Sequence, residues 1–302
     1  MTQKTIYMLA AVFALLIINS CDKTTPPDPT GNKHNVVFKI HLDSTQARLN
    51  NLGMPAAIPS GHAAQTPKFN KIAAHYIELA PSMFTQLGSG EVVYRGKETT
   101  QGGSNAIIFD SLKKVANDEI LFSVPISQLK AGTYEYLRVS LAYQNYDIKF
   151  KYVYSGLPPF YFTGTIASFV GFNNYVKNYV IKTQTVNVNA NKLQGYWGFE
   201  IPATPPYITS AQTSFGNAPT TTVVNPIAST SPIPAGSCVV TGAFPTALKI
   251  TGNETQDIII NVNLSINKSF EWIDNTADGY FEPAAGEMVT DMGIRGMIPV
   301  VH

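Results

Sequence analysis

From Val36 to Leu42 the chain alternates, with Val36, Phe38, Ile40 and Leu42 on one face and Lys39, His41 and Asp43 on the other. A period of two belongs to a strand with one buried and one wet face. Ile258, Ile260, Val262, Leu264 and Ile266 alternate in the same way with Asn261, Asn263, Ser265 and Asn267, and Val186-Asn187-Val188-Asn189 repeats the pattern. Ile120, Phe122 and Val124 give a further short strand, as do Trp197, Phe199 and Ile201. After residue 21 no apolar stripe of helical period is sustained, and Ser127 to Lys130 supplies at most one helical turn. The pattern predicts an all-β fold, an antiparallel β-sandwich over residues 36–302.

The apolar positions switch parity in one stretch, odd from Leu137 to Tyr143 and even from Tyr146 to Tyr152. A two-residue hairpin loop at Gln144-Asn145 produces such a switch and would pair Tyr143 with Tyr146, Leu141 with Ile148 and Val139 with Phe150. A β-bulge shifts parity by one as well and is the alternative. The main interruption runs from Pro202 to Gly236, with seven prolines, eleven Ser or Thr residues and no charge. Proline blocks ladder pairing, so residues 202–236 are expected to form an irregular excursion from one sandwich, with a boundary between two domains as the other option.

The N-terminus carries an address rather than a fold. Lys4 precedes an uncharged run from Ile6 to Ile18, too short for an ordinary membrane span and suited to the apolar core of a signal peptide. The run ends in Ile18-Asn19-Ser20-Cys21, which resembles the lipobox of bacterial lipoproteins of the Bacteroidota type. The resemblance implies a signal peptide over residues 1–20, a lipidated Cys21 as first mature residue, and an anchor in the outer membrane. Residues 21–35, with Pro26, Pro27 and Pro29 among threonines, then form an extended, solvated tether. Lipid on Cys21 leaves Cys238 without a disulfide partner; its β-branched neighbours predict a buried, unreactive thiol.

Composition narrows the functions. The chain of 302 residues is 44% hydrophobic and only 14% charged, which excludes a disordered chain. Lys plus Arg is 21 against 20 for Asp plus Glu, so no net field favours nucleic acid as a partner. Sequence motifs for serine hydrolases, zinc proteases, nucleotide phosphates and dinucleotides are all missing. A carboxylate pair of the glycosidase kind needs only to meet in space, and Glu78, Glu91, Glu98, Glu135 and Glu200 supply candidates.

Three sets of residues could carry binding. Asp274-Asn275-Thr276-Ala277-Asp278-Gly279-Tyr280-Phe281-Glu282 resembles the start of a calcium loop of the EF-hand kind. Asp274, Thr276 and Asp278 take the first, third and fifth positions, Gly279 the sixth and Glu282 the ninth, with Tyr280 between them. Ala285 stands where that family has its bidentate glutamate, and Glu287 is the nearest substitute. The same segment also suits an acidic glycine turn capped by side-chain hydrogen bonds. His41 and His75, in an exported all-β chain, are similar to features of the periplasmic copper-binding proteins associated with methanobactin; that resemblance implies metal binding rather than catalysis. Finally, Phe160, Tyr161, Phe172 and Tyr175 fall among Gly and Pro residues, where rings on loops offer rigid contact area to a glycan or a protein. The expected function is a non-catalytic binding or surface-assembly module of the cell envelope, with copper-type metal binding and carboxylate-dependent hydrolysis as alternatives.

Overall fold

The computed structural model describes residues 33–218 and 236–302; Cys21, the expected signal peptide and most of the expected tether lie outside the described residues. Eighteen strands and no α-helix occur among them. In chain order the strands are β1 (Asn35–Asp43), β2 (His62–Gln65), β3 (Lys68–Ala80), β4 (Glu91–Arg95), β5 (Glu98–Thr99) and β6 (Ala106–Ile108). The next six are β7 (Ile120–Pro125), β8 (Gly132–Tyr152), β9 (Phe160–Phe169), β10 (Asn173–Val180), β11 (Thr185–Leu193) and β12 (Tyr196–Ile201). The last six are β13 (Gln212–Asn217), β14 (Cys238–Ile250), β15 (Ile258–Ser265), β16 (Phe270–Ile273), β17 (Val289–Met292) and β18 (Met297–Val301). The all-β prediction holds, and the sheets pack face to face as a β-sandwich.

The 21-residue β8 is the spine of the molecule. β3 pairs with one of its edges from Tyr136 to Asp147. The other edge is shared, with β14 pairing Gly132 to Leu141 and β9 pairing Tyr143 to Tyr152. The parity switch is therefore a bulge and not a hairpin: Ala73 opposes Tyr143 while Ala74 opposes Leu141, leaving Ala142 without a partner on β3. The Ala142 carbonyl accepts instead from the backbone N–H groups of Val170 (3.0 Å) and Gly171 (3.1 Å). A tight hairpin would require left-handed backbone at its loop, and neither Gln144 nor Asn145 has positive φ. The chain turns back only after Tyr152, where Gly156 takes φ +80°.

Because a bulge preserves the facing side, odd residues before it and even residues after it look the same way. Leu137, Val139 and Leu141 enter an aliphatic core. Tyr146, Ile148 and Phe150 enter an aromatic one. A four-stranded sheet in the order β18-β15-β1-β7 closes the aliphatic core. It contains a parallel pair, β1 with β15, which an all-antiparallel reading does not anticipate; the more than two hundred residues between these strands supply the long crossover that parallel pairing demands. Cys238 is buried in the aliphatic core, where burial pushes its thiol up to about 12. A small sheet in the order β17-β16-β2 covers the aromatic core. The opposite face of β8 and β9 is covered by the sheet β11-β10-β6-β5, with Tyr143 and Phe169 packed against Ile107, Phe109 and Tyr179.

The Pro-rich segment is not irregular throughout. Gln212–Asn217 forms the edge strand β13, paired antiparallel with all of β12. The segment's prolines fall before or after those six residues, so the ladder there is unobstructed. Residues 219–235 lie outside the described residues.

Candidate functional site

A cavity of about 310 Å³ opens between the aromatic half of the long sheet and the small sheet. Ile148, Ile166, Trp197, Phe199, Phe270 and Phe281 wall it, and Ser214, Asn217 and Met288 stand at its polar and exposed side. β12 aims Trp197 and Phe199 inward by strand alternation, on the same face as Ile166 of β9. Phe199 lies against Gly164, where a Cβ would come within 2.2 Å of the ring. Glycine at that position is what lets the ring lie flat over β9. Phe270 and Phe281 meet edge to face at 5.2 Å and 77°, an arrangement that aromatic pairs prefer.

Rings continue from the cavity to the tip of the β8–β9 hairpin. Phe199 is 5.6 Å from Phe150; Phe150 is 5.7 Å from Phe162. Phe162 stacks on Phe160 at 6.2 Å and 16°. Phe160 then meets Tyr154 at 5.9 Å and Tyr207 at 4.9 Å, and Tyr154 meets Tyr152 at 4.6 Å. Tyr154 is 52% exposed and Tyr207 65%. The ladder pairs Phe150–Phe162 and Tyr152–Phe160 put four of these rings on the cavity's face of the sheet.

The four rings expected to bind do not form one site. Phe160 belongs to the track. Tyr161 is 57% exposed but points to the other face, against Tyr280 at 5.0 Å. Phe172 is half-buried beside His75 at 5.5 Å, and Tyr175 is buried. Trp197, Phe199 and Tyr207 were not singled out by sequence. Trp197 and Phe199 have the alternation of any half-buried strand, and Tyr207 follows three prolines in a segment with no apolar period.

The acidic turn from Asp274 to Glu287 is capped from within. Asp274 accepts from the Gly279 N–H (2.9 Å), Asp278 from the Tyr280 N–H (2.9 Å) and Glu287 from the Glu282 N–H (2.6 Å). Thr276 Oγ1 donates to Glu287 at 3.2 Å, while the Tyr280 ring packs on Tyr161. The Lys151 ammonium pairs with Asp278 and, at 3.2 Å, with Glu282. The Asp278 contact, first among several, raises the Lys151 pKa to about 12. A calcium ion on these carboxylates would have to displace that ammonium. Among the described residues no three His, Cys, Asp or Glu side chains converge as a metal set.

His41 and His75 are on different faces. His41 projects from the outer side of β1, opposite Ile40 and Leu42, and its Nδ1 is 2.8 Å from Asp118. His75 is fully buried at a bulge of β3, with Nε2 3.6 Å from Glu98, beyond hydrogen-bond length. The structure does not bring the two histidines together. His75 is nevertheless the largest influence holding Glu98 down at about 2, together with Arg95 and Asn105.

The buried carboxylates are already committed. Glu78 accepts from the N–H groups of Gly88 (3.0 Å) and Gly90 (2.7 Å) and faces Arg138 at 3.9 Å. Burial pushes Glu200 up, but hydrogen bonds from Thr183 Oγ1 (2.6 Å) and from the N–H groups of Lys182, Thr183 and Gln184 hold it below the usual glutamate value. Glu271 and Asp291 are ladder partners, but Arg48 and Arg295 hold Glu271 at 2.6 and 2.9 Å and Arg295 holds Asp291 at 2.7 Å. These carboxylates pin turns and strand ends. No known protein family, curated protein or solved structure matches the chain.

Proposed function

We propose that this chain is a non-catalytic binding module of the cell envelope, tethered through lipid on Cys21 in the outer membrane, that takes a glycan on its aromatic face. The observation that carries the reading is the ring track from the Trp197–Phe199 cavity to the exposed Tyr154 and Tyr207. Sugar rings present apolar C–H faces that stack on tyrosine and phenylalanine, and such contacts contribute about 1 kcal/mol per ring. The cavity falls at the small end of ligand sites, so it suits one ring or a slender substituent at the end of a longer chain.

The test is a glycan array probed with the protein and with a Tyr154→Ala/Tyr207→Ala variant. Retention by the parent and a loss of about tenfold or more in the variant is the expected result. Retention of no glycan, or equal retention by the variant, removes the reading and favours a protein ligand.

A further inference from the structure

A second concavity, of about 480 Å³, opens on the opposite face of the same sheet half. Its floor is Tyr143 and Asn145 of β8, and its walls come from Asn70 and Lys71 of β3, from Asp110 and Lys114, and from the turn after β10. Strand alternation explains the contrast with the ring-lined cavity. Beyond the bulge, odd residues of β8 lie on the face away from the ring-lined cavity, and here they are Tyr143, Asn145 and Asp147 in place of aliphatic ones.

The hydrogen bonds leave this floor short of acceptors. Asn145 is buried and fully used, donating through Nδ2 to the Ile181 carbonyl (2.8 Å) and to Tyr143 Oη (3.3 Å) and accepting from Asn70 through Oδ1 (3.0 Å). Tyr143 is 3% exposed, and its hydroxyl, already an acceptor for Asn145, has no acceptor for its own proton among the described residues. A buried donor left in this state costs free energy that a ligand oxygen recovers. Lys114 Nζ lies 4.0 Å over the Phe109 ring and donates once, to the Phe109 carbonyl at 3.1 Å. Lys71 pairs with none of the described carboxylates, whereas Lys182 is held by Asp147 at 2.9 Å. Asp110 is the one carboxylate in the lining, against three ammoniums. Burial lowers the Lys114 pKa and the nearby Lys71 charge lowers it further, with Asp110 opposing; an anion in the cleft would reverse that balance. The side chain of exposed Asn178, at the rim, makes no hydrogen bond with described residues and is available to a hydroxyl.

We infer that this cleft binds a small hydroxylated anion, a sugar carrying a carboxylate or a phosphate, with Lys71 and Lys114 on the anionic oxygens and the Tyr143 hydroxyl donating to the same group. The uronate of a glycan and a free sugar phosphate share that chemistry. The site is separate from the ring track, so either can fail without the other.

Calorimetric titration with glucuronate, galacturonate, glucose phosphate and neutral glucose tests the inference. The charged sugars are expected to bind and glucose is not. Tyr143→Phe and Lys114→Gln should each weaken binding by about tenfold, and raised salt should weaken it in the parent. Exposed Lys71→Gln gives the same reading should Lys114→Gln fail to fold. Uronates binding and phosphate failing assigns the glycan source; the reverse assigns the free metabolite. The inference is overturned if no charged sugar binds, if glucose binds equally, or if Tyr143→Phe and Lys71→Gln both bind like the parent.

Discussion

The two halves of β8 share one backbone and one inner face, yet they build different interiors. Before the bulge Leu137, Val139 and Leu141 meet Phe38, Ile40, Ile260 and Val262, all fully buried. Branched aliphatic chains on facing strands interdigitate and close the space. After the bulge Tyr146, Ile148 and Phe150 meet Phe270, Trp272 and Phe281, and a cavity of about 310 Å³ remains beside them. Ladders run along both halves of β8, but the first half is closed by the four-stranded sheet β18-β15-β1-β7, whereas the second is covered by a small sheet of four-residue strands, β2, β16 and β17. Among the described residues the closed aliphatic core has no such space, and the incompletely filled aromatic one holds the cavity on which the proposed glycan binding rests. Both chain tryptophans, Trp197 and Trp272, belong to the second half, so tryptophan emission reports on it alone.

Substitutions can set the halves against each other. The largest expected effect is in the closed half, where Leu141→Ala should cost about 3 kcal/mol in chemical unfolding by leaving a hole that cannot collapse. Ligand binding in that variant should stay near the parental value while it remains folded. A loss of binding as large as the loss of stability would mean that the halves are not separable. Gly164→Val is expected to cost about 1–3 kcal/mol, because its side chain meets the Phe199 ring. Its distinguishing mark is a change in tryptophan emission, which Leu141→Ala should not produce.

Acid probes the seam between the halves, where His75 marks the bulge of β3 beside Glu98. Glu98 is held down at about 2 by His75 foremost, then by Asn105 and Arg95. A carboxylate with a depressed folded pKa adds stability that is complete above its unfolded value, about 4.3, and that disappears as pH falls towards 2. Thermal stability should therefore decline across that window, and Glu98→Gln should flatten part of the decline. An unchanged acid limb in the variant would remove Glu98 from the seam. Smaller still is the effect expected at the acidic turn. With Lys151 already on Asp278 and Glu282, a chelator should leave the melting temperature where it was; a clear fall would place calcium at the turn.

Alternation made the strands legible, since β1, β12 and β15 follow their apolar positions, whereas β7 is a strand whose register slips opposite Phe38 and Lys39, leaving Ile120 exposed and Leu121 buried. The parity switch in β8 was legible as a switch, but its cause was not. A bulge and a two-residue loop leave the same trace in one strand, and only the partner strands distinguish them. The edge strand β13 was hidden because prolines flank it and its own residues, Gln212 to Asn217, carry no apolar period. The acidic turn was visible as a turn, while its cation, Lys151, lies 127 residues away. The cavity could not be read at all. Its wall depends on Phe199 crossing Gly164 and on Phe270 meeting Phe281, contacts between residues distant in sequence. Tyr143 is likewise remote along the chain from Lys114 and Lys71, and no sequence pattern associates them.

In the proposed function, ligand is taken by the open half of β8 and not by the closed half. Backbone amide shifts followed during titration with an array-positive oligosaccharide test it most directly. Shifts are expected at residues 150–162, at Tyr207 and along the cavity strand Tyr196–Ile201, with residues 132–141 and β1 unmoved. Shifts centred on residues 132–141 or on β1, or a ligand that moves no resonance of the ring track, would contradict it.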